Sequence, residues 1–136
     1  MKKKKNKILV IGGTGFIGYY VLKHALKKKW RAVSFSRNSP KKHRKLSNVK
    51  YLFGDMSNKS SLKKIKGYYD YIVNVGGYVD HTNKKKVFKS HYIGCKNLCD
   101  LFQNQPPRSF VQMGSCAEYG RAKSPQRENT ICKPIS

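Results

Sequence analysis

Seven residues, Gly12-Gly13-Thr14-Gly15-Phe16-Ile17-Gly18, directly follow the apolar run Ile8-Leu9-Val10-Ile11 and open a helical pattern. Glycines at this spacing suit one kind of chemistry, the cradling of a pyrophosphate. A strand delivers the chain to a tight turn, and the N-terminus of the next helix turns its unpaired amides and partial positive charge toward the anion. Gly12 permits the tight turn, Gly15 lets the backbone approach a phosphate with no Cβ between them, and Gly18 lets the helix lie close to the strand. A plain connection between strand and helix seldom needs three glycines so placed. A Walker-type phosphate loop is excluded, because no Gly-Lys-Ser or Gly-Lys-Thr follows.

Strand and helix patterns alternate around this turn. Strands are expected over 7–11, 31–36, 49–53, 71–75 and 109–113, and helices over 16–29, 59–65 and 85–103. A polar basic loop fills 37–48, and the tail 114–136 reads as loop. In the first helix Ile17, Val21 and Ala25 recur every fourth residue with Leu22 and Leu26 beside them, which predicts that this face is buried. Lys27, Lys28 and Lys29 then place cations at the negative end of the helix dipole, and Pro106-Pro107 stop the third helix. The alternation predicts an α/β fold, a Rossmann-type doubly wound parallel sheet of about five strands with right-handed crossovers. The sheet is expected to be incomplete on its C-terminal side. Phe110, Val111 and Met113 make the fifth strand apolar enough to want neighbours on both edges, yet a structureless tail follows. The chain therefore reads as the N-terminal part of something longer.

The 136 residues suit one domain. Lys and Arg total 30 against six acids, a formal charge of +24. Such a balance fits a polyanionic partner or a solvated basic surface. The solvated surface is the better reading, because Lys outnumbers Arg 24 to 6 and the lysines are scattered, from the run Lys2 to Lys5 onward. Nonspecific binding to nucleic acid at low salt is expected all the same. Cys95, Cys99, Cys116 and Cys132 form no CxxC pair and no zinc spacing with His24, His43, His81 or His91, so no metal is expected. Cys95 and Cys99 are expected as small core residues on a helix, and free thiols fit a reducing, cytoplasmic setting. No uncharged apolar run reaches the ~20 residues of a membrane span, so no membrane partner is expected.

Taken in order, these motifs resemble the extended short-chain dehydrogenase/reductases of the NAD-dependent epimerase/dehydratase type, across nearly the whole chain. Gly12 to Gly18 look like that family's phosphate turn. Gly54-Asp55-Met56-Ser57-Asn58 looks like its adenine-contacting segment. The resemblance implies that Asp55 accepts a hydrogen bond from the adenine amino group and that Met56 packs on the ring. On the residues alone, Asp55 or Ser57 could instead cap the following helix. Asn74-Val75-Gly76-Gly77 is similar to the segment that passes the cofactor ribose, which implies contacts from Val75, Gly76 and Gly77. Tyr92-Ile93-Gly94-Cys95-Lys96-Asn97-Leu98 resembles the family's helix pattern. Gly114-Ser115-Cys116-Ala117-Glu118-Tyr119-Gly120 resembles the motif after the fifth strand, whose Ser or Thr belongs to the catalytic set, and this implies a catalytic Ser115. Tyr119 reads as a packing aromatic and Glu118 as solvated or capping.

The chain departs from the family pattern at several points. The family's Tyr-x3-Lys helix belongs beyond Lys133-Pro134-Ile135-Ser136. The expectation is a dinucleotide-binding domain over 1–136 with no such pair after Ser115, stopping before that helix and the substrate lobe, and catalysing little alone. His91 stands where the family often has asparagine. Ser36-Arg37-Asn38 replaces the acid that an NAD enzyme sets on the ribose hydroxyls, and Arg37 suits a 2′-phosphate, so of NAD and NADP the charge favours NADP. Cys116 and Ala117 occupy the Asp-Glu positions of a dehydratase, which disfavours 4,6-dehydration. The resemblance then implies a nucleotide-sugar epimerase acting through a 4-keto intermediate, with a nucleoside diphosphate sugar as substrate and a homodimer for the full-length protein. The alternatives are an NADP-dependent 4-keto-sugar reductase and a noncatalytic module that binds NAD(P) or RNA.

Overall fold

Ile8-Leu9-Val10-Ile11 is apolar at every position, and such a run is stable only where both faces of its strand are covered. The computed structural model describes residues 5–80 and 82–134; Met1 to Lys4, His81, Ile135 and Ser136 lie outside the described residues. Strand β1 (Lys7–Ile11) occupies the centre of a parallel sheet of order β3-β2-β1-β4-β5, with β2 (Arg31–Ser36), β3 (Val49–Phe53), β4 (Tyr71–Asn74) and β5 (Ser109–Gln112). Its register is fixed on both sides, Ile8 pairing with Ala32 and with Tyr71.

The two faces of β1 feed two cores. Leu9 and Ile11 join Val33, Phe35 and Ile72 under α2 (Lys59–Leu62) and α4 (Gly94–Phe102), which contribute Leu62, Leu98 and Phe102. Ile8 and Val10 meet Leu22 and Ala25 of α1 (Phe16–Lys27) on the opposite face. Each of the buried Leu, Ile and Val side chains stabilises the fold by about 2 kcal/mol relative to exposure. Helices on both faces of a parallel sheet make the fold doubly wound, as the alternation predicted.

Several local expectations are corrected. Helix α1 stops at Lys27 rather than continuing to 29, because Lys29 takes a left-handed φ of 58°. Its buried face runs through Gly18, Leu22 and Ala25, while Ile17 is 48% exposed. The close approach of Gly18 to the turn rotates the helix so that Ile17 looks outward. The helix expected over 85–103 has three parts, α3 (Lys84–Phe88), a wide π turn (Lys89–Ile93) and α4. Cys95 is half-buried and Cys99 exposed, because the inward face of α4 is carried by Gly94, Asn97, Leu98 and Phe102. Burial pushes the Cys95 thiol up from its ordinary pKa. The tail contains one short 3-10 turn, Cys116–Tyr119.

At its far edge β5 pairs with β4 alone among the described residues, and Val111 and Met113 are about half exposed. Asp70 anchors the opposite end of the sheet. Its buried carboxylate accepts the Lys7 amide at 2.7 Å and lies 3.5 Å from the Arg108 guanidinium. No described helix is long and apolar enough to cross a membrane.

Candidate functional site

In a sheet of this order the connections leave β1 and β4 toward opposite sides, and a crevice opens at their carboxyl ends. A cavity of about 600 Å³ lies there. Its floor is the glycine turn. Gly12 has φ 79°, donates its amide to the Phe35 carbonyl at 2.8 Å, and faces Gly76 so closely that a Cβ on Gly12 would lie 2.8 Å from the Gly76 Cα. Gly13 is buried below the cavity, against Ser34 and Leu22. The Thr14 amide donates to the Ser36 hydroxyl at 3.3 Å, and Ser36 is itself within 3.4 Å of the Ser34 hydroxyl. Ser36 thus supports the turn from the end of β2.

Helix α1 begins at Gly15 with no side-chain cap and no acid in its first turn. The amides of Phe16, Ile17 and Gly18 have no acceptor among the described residues. These donors, the positive end of a twelve-residue helix and a glycine lip open to the cavity fit a pyrophosphate, so the residues present suit a bound dinucleotide.

A second wall of the cavity comes from the segment after β3, through Gly54, Asp55, Met56 and Ser57. Asp55 Oδ1 accepts both the amide and the hydroxyl of Ser57, each at 2.8 Å, which fixes the carboxylate and leaves Oδ2 without a partner among the described residues. Asn58, rather than Asp55 or Ser57, caps α2 by accepting the Ser60 amide at 2.9 Å. Met56 is clamped from α4. Asn97 donates to the Met56 carbonyl at 3.1 Å, and Gly94 lies so close that a Cβ there would stand 2.7 Å from the Met56 Cγ. Asp55→Asn is expected to keep the Ser57 contacts, and therefore stability, while presenting an amide donor where the family resemblance implies an adenine amino group. Dinucleotide affinity should fall about tenfold, the loss of one hydrogen bond and the burial of an unmatched donor, as read by fluorescence titration of NADH or NADPH beside thermal unfolding.

The segment after β4 closes the crevice. Asn74 is 1% exposed; its Oδ1 accepts the Gly76 amide at 3.1 Å and its Nδ2 donates to Gln112 of β5 at 2.8 Å. Arg37 lines the rim, with its guanidinium carbon 5.9 Å from the Tyr78 ring centre. The cavity therefore brings together Gly12, Thr14, Gly15, Phe16, Ile17, Gly18, Arg37, Asp55, Met56, Val75, Gly76 and Gly77, and leaves Gly13 beneath its floor. Sequence reasoning missed Tyr78, Lys86 and Lys89, which line it too. A signal was present: Lys84, Lys85 and Lys86 crowd a helix start that has no acid, against the helix dipole.

Ser115 lies beyond β5, exposed and outside the cavity lining. Its hydroxyl accepts the Ala117 amide at 3.2 Å and its amide donates to Glu118 at 3.0 Å, a reciprocal cap on the 3-10 turn. Glu118 is thus a capping residue. The expectation that no Tyr-x3-Lys follows Ser115 is wrong as a statement of spacing, since Tyr119-Gly120-Arg121-Ala122-Lys123 has it. The same spacing recurs at Tyr19–Lys23 and Tyr92–Lys96. Tyr119 ends the 3-10 turn, and Gly120 then takes φ 62°, so Tyr119 and Lys123 do not share a helical face.

Five of the six acids are engaged internally. Asp55, Asp70, Asp80, Asp100 and Glu118 each accept hydrogen bonds within the chain. Among the described residues Arg37, Lys86 and Lys89 make no salt bridge, although hydrogen bonds from Thr82 and the charge of Lys86 lower the pKa of the nearby Asp80, and the excess of cations at the rim favours anions there. Among the described residues no three His, Cys, Asp or Glu stand together as a metal site.

A doubly wound sheet with a glycine turn and an uncapped helix N-terminus at its crevice defines a Rossmann-type α/β unit. Residues 8–136 match the NAD dependent epimerase/dehydratase family, and the chain belongs to it. Among curated proteins it is 32% identical over 96 residues to an isoflavone reductase homolog of Nicotiana tabacum, a match covering 64% of this chain and 31% of that protein. The UDP-glucose 4-epimerase of Thermotoga maritima, solved with UDP-glucose, superposes with a TM-score of 0.86 at 19% identity, over 95% of this chain and 45% of the epimerase. The Bordetella bronchiseptica enzyme WbmG, solved with NAD and UDP, superposes with a TM-score of 0.83 at 15% identity, over 98% and 46%. The chain thus spans about a third of the length of the curated relative and under half of these solved structures.

Proposed function

We propose that this chain forms the cofactor-binding part of an NAD(P)-dependent nucleotide-sugar epimerase that works by hydride transfer at the sugar C4 through a 4-keto intermediate. The observation that carries the reading is the uncapped, acid-free start of α1 over a glycine-lined cavity. The glycine turn holds the pyrophosphate, Asp55 Oδ2 receives the adenine amino group, and Met56 supports the ring. Arg37 pairs with a ribose 2′-phosphate, which favours NADP over NAD. When bound, the nicotinamide supplies the hydride acceptor. Ser115 hydrogen-bonds the sugar oxygen and shares its developing charge, which requires its hydroxyl to turn from the Ala117 amide.

A second reading is an NADP-dependent reductase of keto sugars. It draws on Arg37 and on the reductase named among the curated relatives.

Titrating the 136-residue chain with NADPH and NADH tests the shared part of both readings. Saturable binding of either nucleotide is expected, with little turnover of UDP-sugars by this chain. Absence of saturable binding would overturn both. Turnover of UDP-sugars at rates normal for enzymes would overturn the assignment of this chain as a cofactor part alone.

A further inference from the structure

His91 lies in the π turn between α3 and α4, outside the cavity lining. Its Nε2 is 3.3 Å from the Tyr78 amide nitrogen and 3.0 Å from the Tyr78 carbonyl oxygen. As an unprotonated nitrogen it accepts from the amide; as N–H it donates to the carbonyl. Either tautomer bonds the same residue. The contact is close because position 77 is glycine: a Cβ there would collide with His91 Cε1.

Tyr78, in contrast, does line the cavity. Its ring has Arg37 on it at 5.9 Å and the Lys86 ammonium at 5.5 Å, both within cation–π reach. One imidazole therefore fixes the backbone of the residue whose ring braces the rim cations.

We propose that His91 is a positioning residue for cofactor discrimination: by holding Tyr78 it places the Gly76–Gly77–Tyr78 wall and the Arg37 guanidinium, and so sets the preference for a dinucleotide that carries a 2′-phosphate. This rests on the reading of Arg37 as the group that pairs with that phosphate. The imidazole acts through Tyr78 and touches neither nucleotide.

His91→Ala and His91→Gln, in the whole chain, test the proposal. The glutamine amide both donates and accepts, and it reaches about as far as imidazole Nε2. In His91→Ala, hydrogen exchange at the Tyr78 amide should accelerate about tenfold while the Gly12 amide, bonded to Phe35, keeps its rate. The ratio of NADPH to NADH affinity should fall about fivefold. His91→Gln should recover both values. Unchanged Tyr78 exchange, or an unchanged affinity ratio, in His91→Ala would overturn the proposal. Arg37→Ala separates it from the underlying reading. If that variant keeps the wild-type ratio, the reading of Arg37 fails and takes the discrimination with it, and faster Tyr78 exchange in His91→Ala then shows the clamp alone.

Discussion

Gly18→Ala should damage the fold itself, lowering stability by about 3 kcal/mol and abolishing dinucleotide binding. A Cβ at this position would collide with the Gly12 carbonyl oxygen and stand 2.6 Å from the Gly13 Cα. Both are backbone atoms of the turn, and the Gly12 carbonyl already accepts the Gly15 amide at 3.0 Å. No side-chain rotation relieves the contact, so α1 must move off β1 or the turn must open. Gly15→Ala provides the contrast. Its Cβ would meet only the Gly12 oxygen, at 3.2 Å, and would project into the cavity. That variant should stay within about 1 kcal/mol of wild-type stability and still bind dinucleotide more weakly by at least ~10-fold, because the added methyl occupies the approach of the phosphate. Chemical denaturation and nucleotide titration on the two variants measure the separation. Equal stability loss in both would contradict the assignment of Gly18 to packing and Gly15 to binding.

Arg37→Glu should weaken NADPH binding about 100-fold and leave NADH within a few-fold of wild type. Arg37 makes no ion pair among the described residues, so the substitution breaks no structural bridge. On the proposed reading of Arg37, it removes a charge-assisted partner of the 2′-phosphate and places a carboxylate in its stead. Ser36 does not take over, because its hydroxyl accepts the Thr14 amide. A carboxylate at the rim also accepts from ribose hydroxyls, which favours the unphosphorylated nucleotide. Parallel loss of NADPH and NADH affinity would show that Arg37 serves the cavity generally and does not read the ribose.

The strands were the most legible part of the chain. A parallel strand covered on both faces tends to be apolar on both, and Ile8 to Ile11 could be little else. The glycine turn was legible because strand, glycines and helix stood in sequence order. The phase of α1 was not, because periodicity counts side chains and the deepest contact of that helix is made by a residue without one, Gly18. Three neighbouring polar residues, Asp55, Ser57 and Asn58, all suit a cap, and only the backbone path selects Asn58. The π turn adds a wide step to a helix without altering its composition, so the placement of His91 against Gly77 left no trace in spacing. Tyr119 and Lys123 show the converse, a motif present as letters in a segment that is not helical.

The strand order also constrains the timing of assembly. Strand β1 precedes β2 to β5 in the chain, yet its second edge is covered only by β4, with Ile11 pairing with Asn74. Those partners lie roughly 60 residues apart, so at ~5–20 residues per second an apolar strand waits several seconds on the ribosome with one edge bare. Long-range parallel pairing of this kind is slow even after the chain is complete. The lysines that flank the run on its N-terminal side, Lys2 to Lys5 and Lys7, act in that interval as gatekeepers, because like charges oppose the stacking of nascent strands from neighbouring chains. A feature of composition thereby acquires a use during synthesis, before the sheet is complete.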